Sequence, residues 1–107
     1  MTRNQEIAAV ILQQLGGMGR LVSFTGAKNF VAIENGVQFS IGKGARDKIN
    51  KVIIKLTAED LYDVEFGRVW NFDYREIRKV EGIFSEMLMD QFEEQTGFFL
   101  TFNARTA

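Results

Sequence analysis

The fold is decided by the stretch Phe30-Val31-Ala32-Ile33-Glu34-Asn35-Gly36-Val37-Gln38-Phe39-Ser40-Ile41. Two apolar runs, residues 30–34 and 37–41, flank the dipeptide Asn35-Gly36. An Asn-Gly pair between apolar runs is the strongest short-range signal for a β-hairpin, because both residues tolerate the positive φ angles of a tight turn. We therefore predict an antiparallel hairpin here and expect further strands to extend it into a sheet.

Alternating patterns on both sides of the hairpin predict those further strands. Residues 20–25 alternate before it, and residues 51–56 alternate after it. Another alternating run starts at Tyr62 and continues towards Phe72, and Gly67 is expected to introduce a bulge or bend there. Because the connections are short, the pattern favours antiparallel pairing between consecutive strands.

Two segments have helical spacing. The first runs from Asn4 to Leu15 and should end at Gly16-Gly17, because glycine readily takes the left-handed conformation of a helix C-cap. The second should run from about Asp73 to Thr96 and end at Gly97. Its predicted buried stripe consists of Ile77, Val80, Ile83, Phe84, Met87, Leu88 and Phe92.

The elements combine into an α+β fold in a single domain of residues 1–107. We predict an antiparallel β-meander of about five strands, with the N-terminal helix and a long C-terminal helix packed on one face. Residues 98–102 are predicted to form a short final strand. The other face of the sheet would be half apolar, with residues such as Val22, Phe24 and Ile53, and such a face favours a homodimer.

The chain contains no histidine and no cysteine. Histidine is the usual general base near neutral pH, and cysteine is the strongest nucleophile and a common zinc ligand. Their absence excludes Ser-His-Asp and Cys-His catalysis, zinc fingers and thiol redox chemistry. Carboxylate, lysine, tyrosine or hydroxyl chemistry stays open, with Asp63, Glu65 and Tyr74 as its candidates, but we expect no metal, no cofactor and no catalytic residue.

Composition narrows the setting as well. The formal net charge is −1, which argues against a strongly basic coat for nucleic acid. No apolar run approaches the roughly 18 residues needed to cross a bilayer, and the N-terminus lacks the pattern of a signal peptide. Absent disulfides fit a reducing compartment. We expect a cytoplasmic protein that does not bind membranes.

A basic, glycine-containing loop is the most suggestive segment for binding. It spans Gly42 to Lys48 and carries Lys43, Arg46 and Lys48, with Lys51 following closely. Glycines allow backbone N–H groups to approach an anion, which lysine and arginine neutralise. The spacing differs from that of a phosphate-binding Walker loop. The alternative is a solvated connection in which the lysines only maintain solubility.

A second candidate surface interleaves cations with aromatic residues. Arg68, Trp70, Phe72, Tyr74 and Arg75 lie within eight residues of one another. Such clusters stack nucleic-acid bases or bind partners. The alternative is that Trp70 and Phe72 pack under the start of the second helix.

Asp63 and Glu65 form an acidic pair on one predicted strand. Two carboxylates at this spacing could act as an acid and base or bind a divalent cation. The structural interpretation is favoured, in which both face water opposite Lys51 and Lys55 on the neighbouring strand.

Three segments together resemble small uncharacterised proteins encoded by bacteriophages and prophages. They are Leu15-Gly16-Gly17 with 24–30, then 51–56 with 61–66, and finally Thr96-Gly97-Phe98-Phe99-Leu100. The resemblance implies an origin in a bacteriophage or prophage. It does not assign a function to any residue. Small phage proteins outside the virion often act by binding, for example by blocking a host defence complex.

We therefore predict a non-enzymatic phage accessory protein in the host cytoplasm. Its expected role is to bind and inhibit a host defence factor, in the manner of an anti-CRISPR protein. The alternative is a single-stranded nucleic-acid-binding module of phage replication. The predicted binding residues are Lys43, Arg46, Lys48, Lys51, Arg68 and Trp70.

Overall fold

The computed structural model describes residues 2–100 and shows an α+β fold on one antiparallel sheet. The five strands lie side by side in sequence order, as the predicted meander requires. The strands are β1 (Lys28–Ile33), β2 (Gly36–Ser40), β3 (Lys51–Leu56), β4 (Tyr62–Trp70) and β5 (Asp73–Ile83). The helices are α1 (Arg3–Gln14), α2 (Met18–Thr25) and α3 (Leu88–Thr96), and 3-10 turns lie at Arg46–Lys48 and Ser85–Met87.

The hairpin predicted from Asn35-Gly36 is confirmed as β1 and β2. Ile33 pairs with Gly36, so the two-residue turn consists of Glu34 and Asn35, and Asn35 has a φ of 57°. Gly36 therefore belongs to the strand. A Cβ atom at this position would lie 2.0 Å from the carbonyl oxygen of Ile54, so only glycine allows β2 and β3 to approach this closely.

One face of the sheet forms the core together with the helices. Its central side chains are Val37 and Phe39 of β2, Val52 and Ile54 of β3, and Val64 and Phe66 of β4. Helix α1 adds Ile11, its C-cap residue Leu15 adds a second side chain, and α3 adds Leu88 and Phe92. The ring of Phe39 lies between those of Phe30 and Phe92, at centroid distances of 5.3 and 6.3 Å. The first and last helices therefore share one core.

The strand predicted over residues 20–25 is wrong, because these residues form helix α2. Its buried residues are Leu21 and Thr25, and the Thr25 hydroxyl donates to the carbonyl oxygen of Leu21 at 2.6 Å. Residues four apart lie on the same side of both a strand and a helix. A segment of eight residues therefore cannot be assigned from this spacing alone.

The prediction of a long second helix is also wrong over its first half, because Asp73–Ile83 form strand β5. Two irregularities in the β4–β5 register add residues to β5, one at Ile77 and one near Gly82, where φ is 69°. Each bulge adds one residue to a two-residue repeat, so the inward residues Ile77, Val80 and Ile83 are three apart. Spacing of three imitates a helix.

The C-terminal helix is consequently short, at nine residues. Leu88 and Phe92 are buried as predicted, whereas Phe84 is 58% exposed and Met87 is also exposed. Gly97 ends the helix in the left-handed conformation, as expected. Residues 98–100 form no regular strand, and the rest of that predicted strand lies outside the described residues.

The sheet face away from the helices is mixed in character. It carries the polar residues Gln38, Lys55, Asp63 and Glu65 beside the apolar Val31, Ile33 and Ile53, whereas Val22 lies on α2. The homodimer stays a prediction. Within residues 2–100, no single helix is long and apolar enough to cross a membrane. Helices α1 and α2 reach the required length and apolar composition only when they are taken together, and they are bent by 57° relative to each other.

Candidate functional site

A cavity of about 720 Å³ opens at one end of the sheet. The basic loop that follows β2 forms one wall, and the last residues of β4 form the other. Gly26 and Lys28, at the junction of α2 and β1, complete the lining. Its volume lies within the range of roughly 300–1,000 Å³ that small-ligand sites occupy.

The charge of this cavity has one sign. Four cationic residues line it, namely Lys28, Lys43, Lys48 and Arg68, and none of the residues that line it is acidic. The whole chain is nearly neutral, so its positive charge is locally separated from its negative charge. A concave surface lined by one sign of charge concentrates the opposite ion. The cavity, referred to below as the basic cavity, is therefore suited to an anion.

The side chain of Trp70 gives the basic cavity an aromatic wall. It is 63% exposed, so it does not pack beneath a helix as one interpretation of the sequence held. The guanidinium carbon of Arg68 lies 4.9 Å from the centroid of the indole ring. This cation–π contact fixes the ring and leaves much of its surface open to a ligand.

Asn50 holds the two walls of the basic cavity together. Its side-chain amide donates to the carbonyl oxygen of Val69 at 3.0 Å and accepts from the N–H of Val69 at 2.7 Å. Its backbone N–H donates to the carbonyl oxygen of Gly67 at 3.0 Å. Asn50 therefore places Arg68 and Trp70 beside the basic loop.

The other side of the loop is tied to β5 and α3 through Arg78. Its guanidinium pairs with Asp47 of the loop and donates to the side-chain and backbone oxygens of Gln95 at 2.6 and 2.7 Å. Asp47 and Lys48 both have positive φ angles, of 54° and 60°. The one acid of the basic loop is thus engaged by Arg78, which leaves the loop's lysines to set the charge of the cavity.

The structure brings four of the six predicted binding residues together. Lys43, Lys48, Arg68 and Trp70 all line the basic cavity.

The other two predicted residues lie elsewhere. Arg46 packs towards the end of α3, where a Cβ atom on Gly97 would lie 3.2 Å from its Cγ atom. Lys51 is half-buried in β3, paired with Gly67, and does not line the cavity. Sequence reasoning missed Lys28, because nothing in the pattern indicated its proximity to the loop.

A smaller depression of about 240 Å³ adjoins the basic cavity. Arg68 and Trp70 line both, and Asp73 and Arg75 complete the smaller one. The turn between β4 and β5 lies beyond it and consists of Asn71 and Phe72, with φ angles of 51° and 66°. Phe72 is 103% exposed, so its whole side chain is in solvent.

The acidic pair has structural partners. Asp63 pairs with Lys55, as predicted, and accepts a hydrogen bond from the N–H of Gly82 at 3.0 Å. Glu65 pairs with Ile53 instead of Lys51 and accepts from the Tyr74 hydroxyl at 2.6 Å.

Tyr74 stays protonated at neutral pH. Burial first, and then the hydrogen bond and charge of Glu65, raise the pKa of its hydroxyl above the ordinary 10.0. Across residues 2–100, no group of three acidic side chains is arranged to hold a metal ion.

Comparisons of the chain with protein-family models, with curated proteins and with solved structures find no match.

Proposed function

We propose that this chain is a non-enzymatic binding module that holds a phosphate-bearing nucleotide in the basic cavity. The observation that supports the proposal most is the composition of the cavity lining. Four cations, no carboxylate and one exposed tryptophan meet in a cleft of ligand size. Phosphate groups would contact the lysines, and the base would stack against the indole ring.

A nucleotide satisfies both halves of this site, whereas simpler ligands satisfy one. An inorganic anion would use the lysines and leave the ring of Trp70 in water. A neutral aromatic compound would leave the charges of Lys28, Lys43 and Lys48 unpartnered. Arg68 links the two halves, because its guanidinium lies over the ring of Trp70 and also lines the cleft.

The same site gives little support to catalysis. Asp63 and Glu65 are engaged in hydrogen bonds on the sheet and do not line the basic cavity. Tyr74, with its raised pKa, is a poor general base at neutral pH. Binding requires only complementary charge and shape, and the cavity offers both.

Trp70 provides a direct test, since it is the only tryptophan in the chain. Thymidine 5′-diphosphate should quench its fluorescence as the basic cavity fills. The variant Lys43→Gln with Lys48→Gln should weaken binding at least about tenfold, because each lysine contributes a charge-assisted contact.

A matched control separates local from global charge. Lys55→Gln with Lys79→Gln removes the same net charge from residues that do not line the basic cavity. Affinity should stay within about twofold of the wild type, since these lysines make no contact with the ligand. Equal losses in both variants, or no quenching of the wild type, would contradict the proposal.

A second candidate function rests on a different observation, the exposed aromatic turn at Phe72. We propose, as the alternative, the role expected from the resemblance to phage proteins: binding and inhibiting a host defence factor. A fully exposed phenylalanine at the tip of a hairpin is suited to filling a pocket on a protein partner.

Native mass spectrometry can test this second candidate. The tagged chain would be captured from its host during infection, in parallel with the variant Phe72→Ser. A host protein present in a fixed ratio with the wild type and lost with the variant would support inhibition by binding. Capture of the same host protein in the same ratio by the wild type and by the variant would contradict a contact made by Phe72.

A further inference from the structure

The basic cavity and the smaller depression share a wall. Trp70 and Arg68 line both, so the indole ring stands between two adjoining concave surfaces. A ligand confined to the basic cavity would use only one side of this wall. A ligand longer than one nucleotide could continue past Trp70 into the depression.

The two surfaces differ in charge, and this difference indicates what each would hold. The basic cavity carries cations only, which suits phosphate groups. The depression sets the carboxylate of Asp73 beside the guanidinium groups of Arg68 and Arg75. A mixed set of donors and acceptors suits the edge of a base or a sugar hydroxyl, which both donate and accept hydrogen bonds.

The turn beyond the depression supplies a second aromatic group. Asn71 and Phe72 both have positive φ angles, a conformation that is unfavourable for a phenylalanine. The side chain of Phe72 is nevertheless 103% exposed, so no burial of its ring compensates for the unfavourable backbone conformation. Trp70 and Phe72 are thus two exposed aromatic residues on one hairpin, next to the basic cavity.

We propose that the ligand of this site is a single-stranded nucleic acid. It extends from the basic cavity across Trp70 into the smaller depression, which Arg75 lines. This inference rests on the proposed function and adds to it the length and strandedness of the ligand. Unpaired bases have free faces that stack on Trp70 and Phe72, while phosphates contact the lysines. A duplex hides those faces within its own stack.

A length series tests the inference through Trp70 fluorescence. The probes are thymidine 5′-diphosphate and the thymidine di-, tetra- and octanucleotides. Affinity should rise at least about fivefold from the mononucleotide to the tetranucleotide, because a further base stacks beyond the first. It should then change little up to the octanucleotide, because the site has been filled.

Two variants locate the extra affinity. Arg75→Gln and Phe72→Ala change residues that do not line the basic cavity. Each should lower the affinity for the tetranucleotide at least about threefold and leave that for the mononucleotide unchanged. Lys55→Gln, on the outer face of the sheet, serves as the control and should change neither.

The outcomes separate this inference from the function on which it depends. Binding of the mononucleotide as tightly as the tetranucleotide overturns the inference and leaves the proposed function standing. No quenching by any probe overturns both. A duplex of the same sequence that binds as tightly as the single strand also overturns the inference, as does a tetranucleotide affinity that Arg75→Gln and Phe72→Ala leave intact.

Discussion

The two outer hairpins of the sheet differ in what their turns are built for. The β1–β2 hairpin turns through Glu34 and Asn35 and then presses Gly36 against the backbone of β3. The β4–β5 hairpin turns through Asn71 and Phe72, both with positive φ, and exposes the larger side chain completely. The first arrangement serves packing. The second is unfavourable for folding and places an aromatic group where a ligand can reach it.

This difference indicates where function resides in the molecule. A two-residue turn with positive φ at both positions favours asparagine and glycine, and a residue kept there against the preference of the backbone often marks a functional site. Phe72 fits that description, and the adjoining Trp70 lines the basic cavity. The contrast between the two hairpins can be tested by four changes.

The largest effect is expected from Gly36→Ala. The added methyl group would lie 2.0 Å from the carbonyl oxygen of Ile54, so β2 and β3 would have to separate. Unfolding in urea should show a loss of roughly 3 kcal/mol. Gly19→Ala is the control, because a Cβ atom there meets no atom within 4 Å and the helix should gain about 0.5–1 kcal/mol. Equal stabilities for both variants would contradict the packing role of Gly36.

A smaller loss is expected from Asn50→Ala, which detaches the basic loop from the base of the second hairpin. The variant loses both hydrogen bonds to Val69, and the free energy of unfolding should fall by about 1–2 kcal/mol. Asn50→Asp retains the acceptor for the Val69 N–H and should lose less. If both variants are as stable as the wild type, Asn50 does not fix the position of Arg68 and Trp70.

Phe72→Gly should act in the opposite direction. Glycine relieves about 1–2 kcal/mol of left-handed strain, and its greater freedom in the unfolded chain offsets about 0.5–1 kcal/mol. The free energy of unfolding should therefore rise by about 0.5–1 kcal/mol. Phe72→Leu keeps the strain and should leave stability unchanged. A destabilised glycine variant would mean that Phe72 contributes to the fold.

The smallest effect concerns Tyr74, which braces the second hairpin by its bond to Glu65 and by its ring over Gly67. Its pKa is raised in the folded state, so its hydroxyl stabilises the fold below pH 10.0, the ordinary pKa, and this contribution declines at higher pH. The stability difference between wild type and Tyr74→Phe should shrink when measured by urea unfolding from neutral pH to about pH 11. A constant difference would contradict the role of the hydroxyl.

The sequence predicted the fold well where a pattern was local. The Asn35-Gly36 hairpin, the strands around Val52 and Val64, and the helix ends at Gly16 and Gly97 all follow from neighbouring residues. It failed where two periods coincide. Leu21 and Thr25 fit a strand and a helix equally, and the bulges of β5 give a strand the three-residue spacing of a helix.

The candidate site was predicted only in part, because only some of its features are local in sequence. Lys43 and Lys48 stand out as cations in a glycine-containing loop, and Arg68 and Trp70 as a mixed cluster. Nothing local showed that these two segments form one cavity, that Lys28 joins them, or that Arg46 and Lys51 do not. The meeting of the segments depends on strand register and on Asn50.

The sequence by itself determined the α+β class, the first hairpin, and the absence of histidine and cysteine chemistry, because these depend on composition and on neighbours along the chain. Only the tertiary structure decided that residues 73–83 form a strand, because pairing with β4 and the bulges outweigh the local preference for helix. It also decided that cations far apart in sequence share one cleft beside an exposed tryptophan. Charge density at a site is a property of distances in space, which the order of residues does not contain.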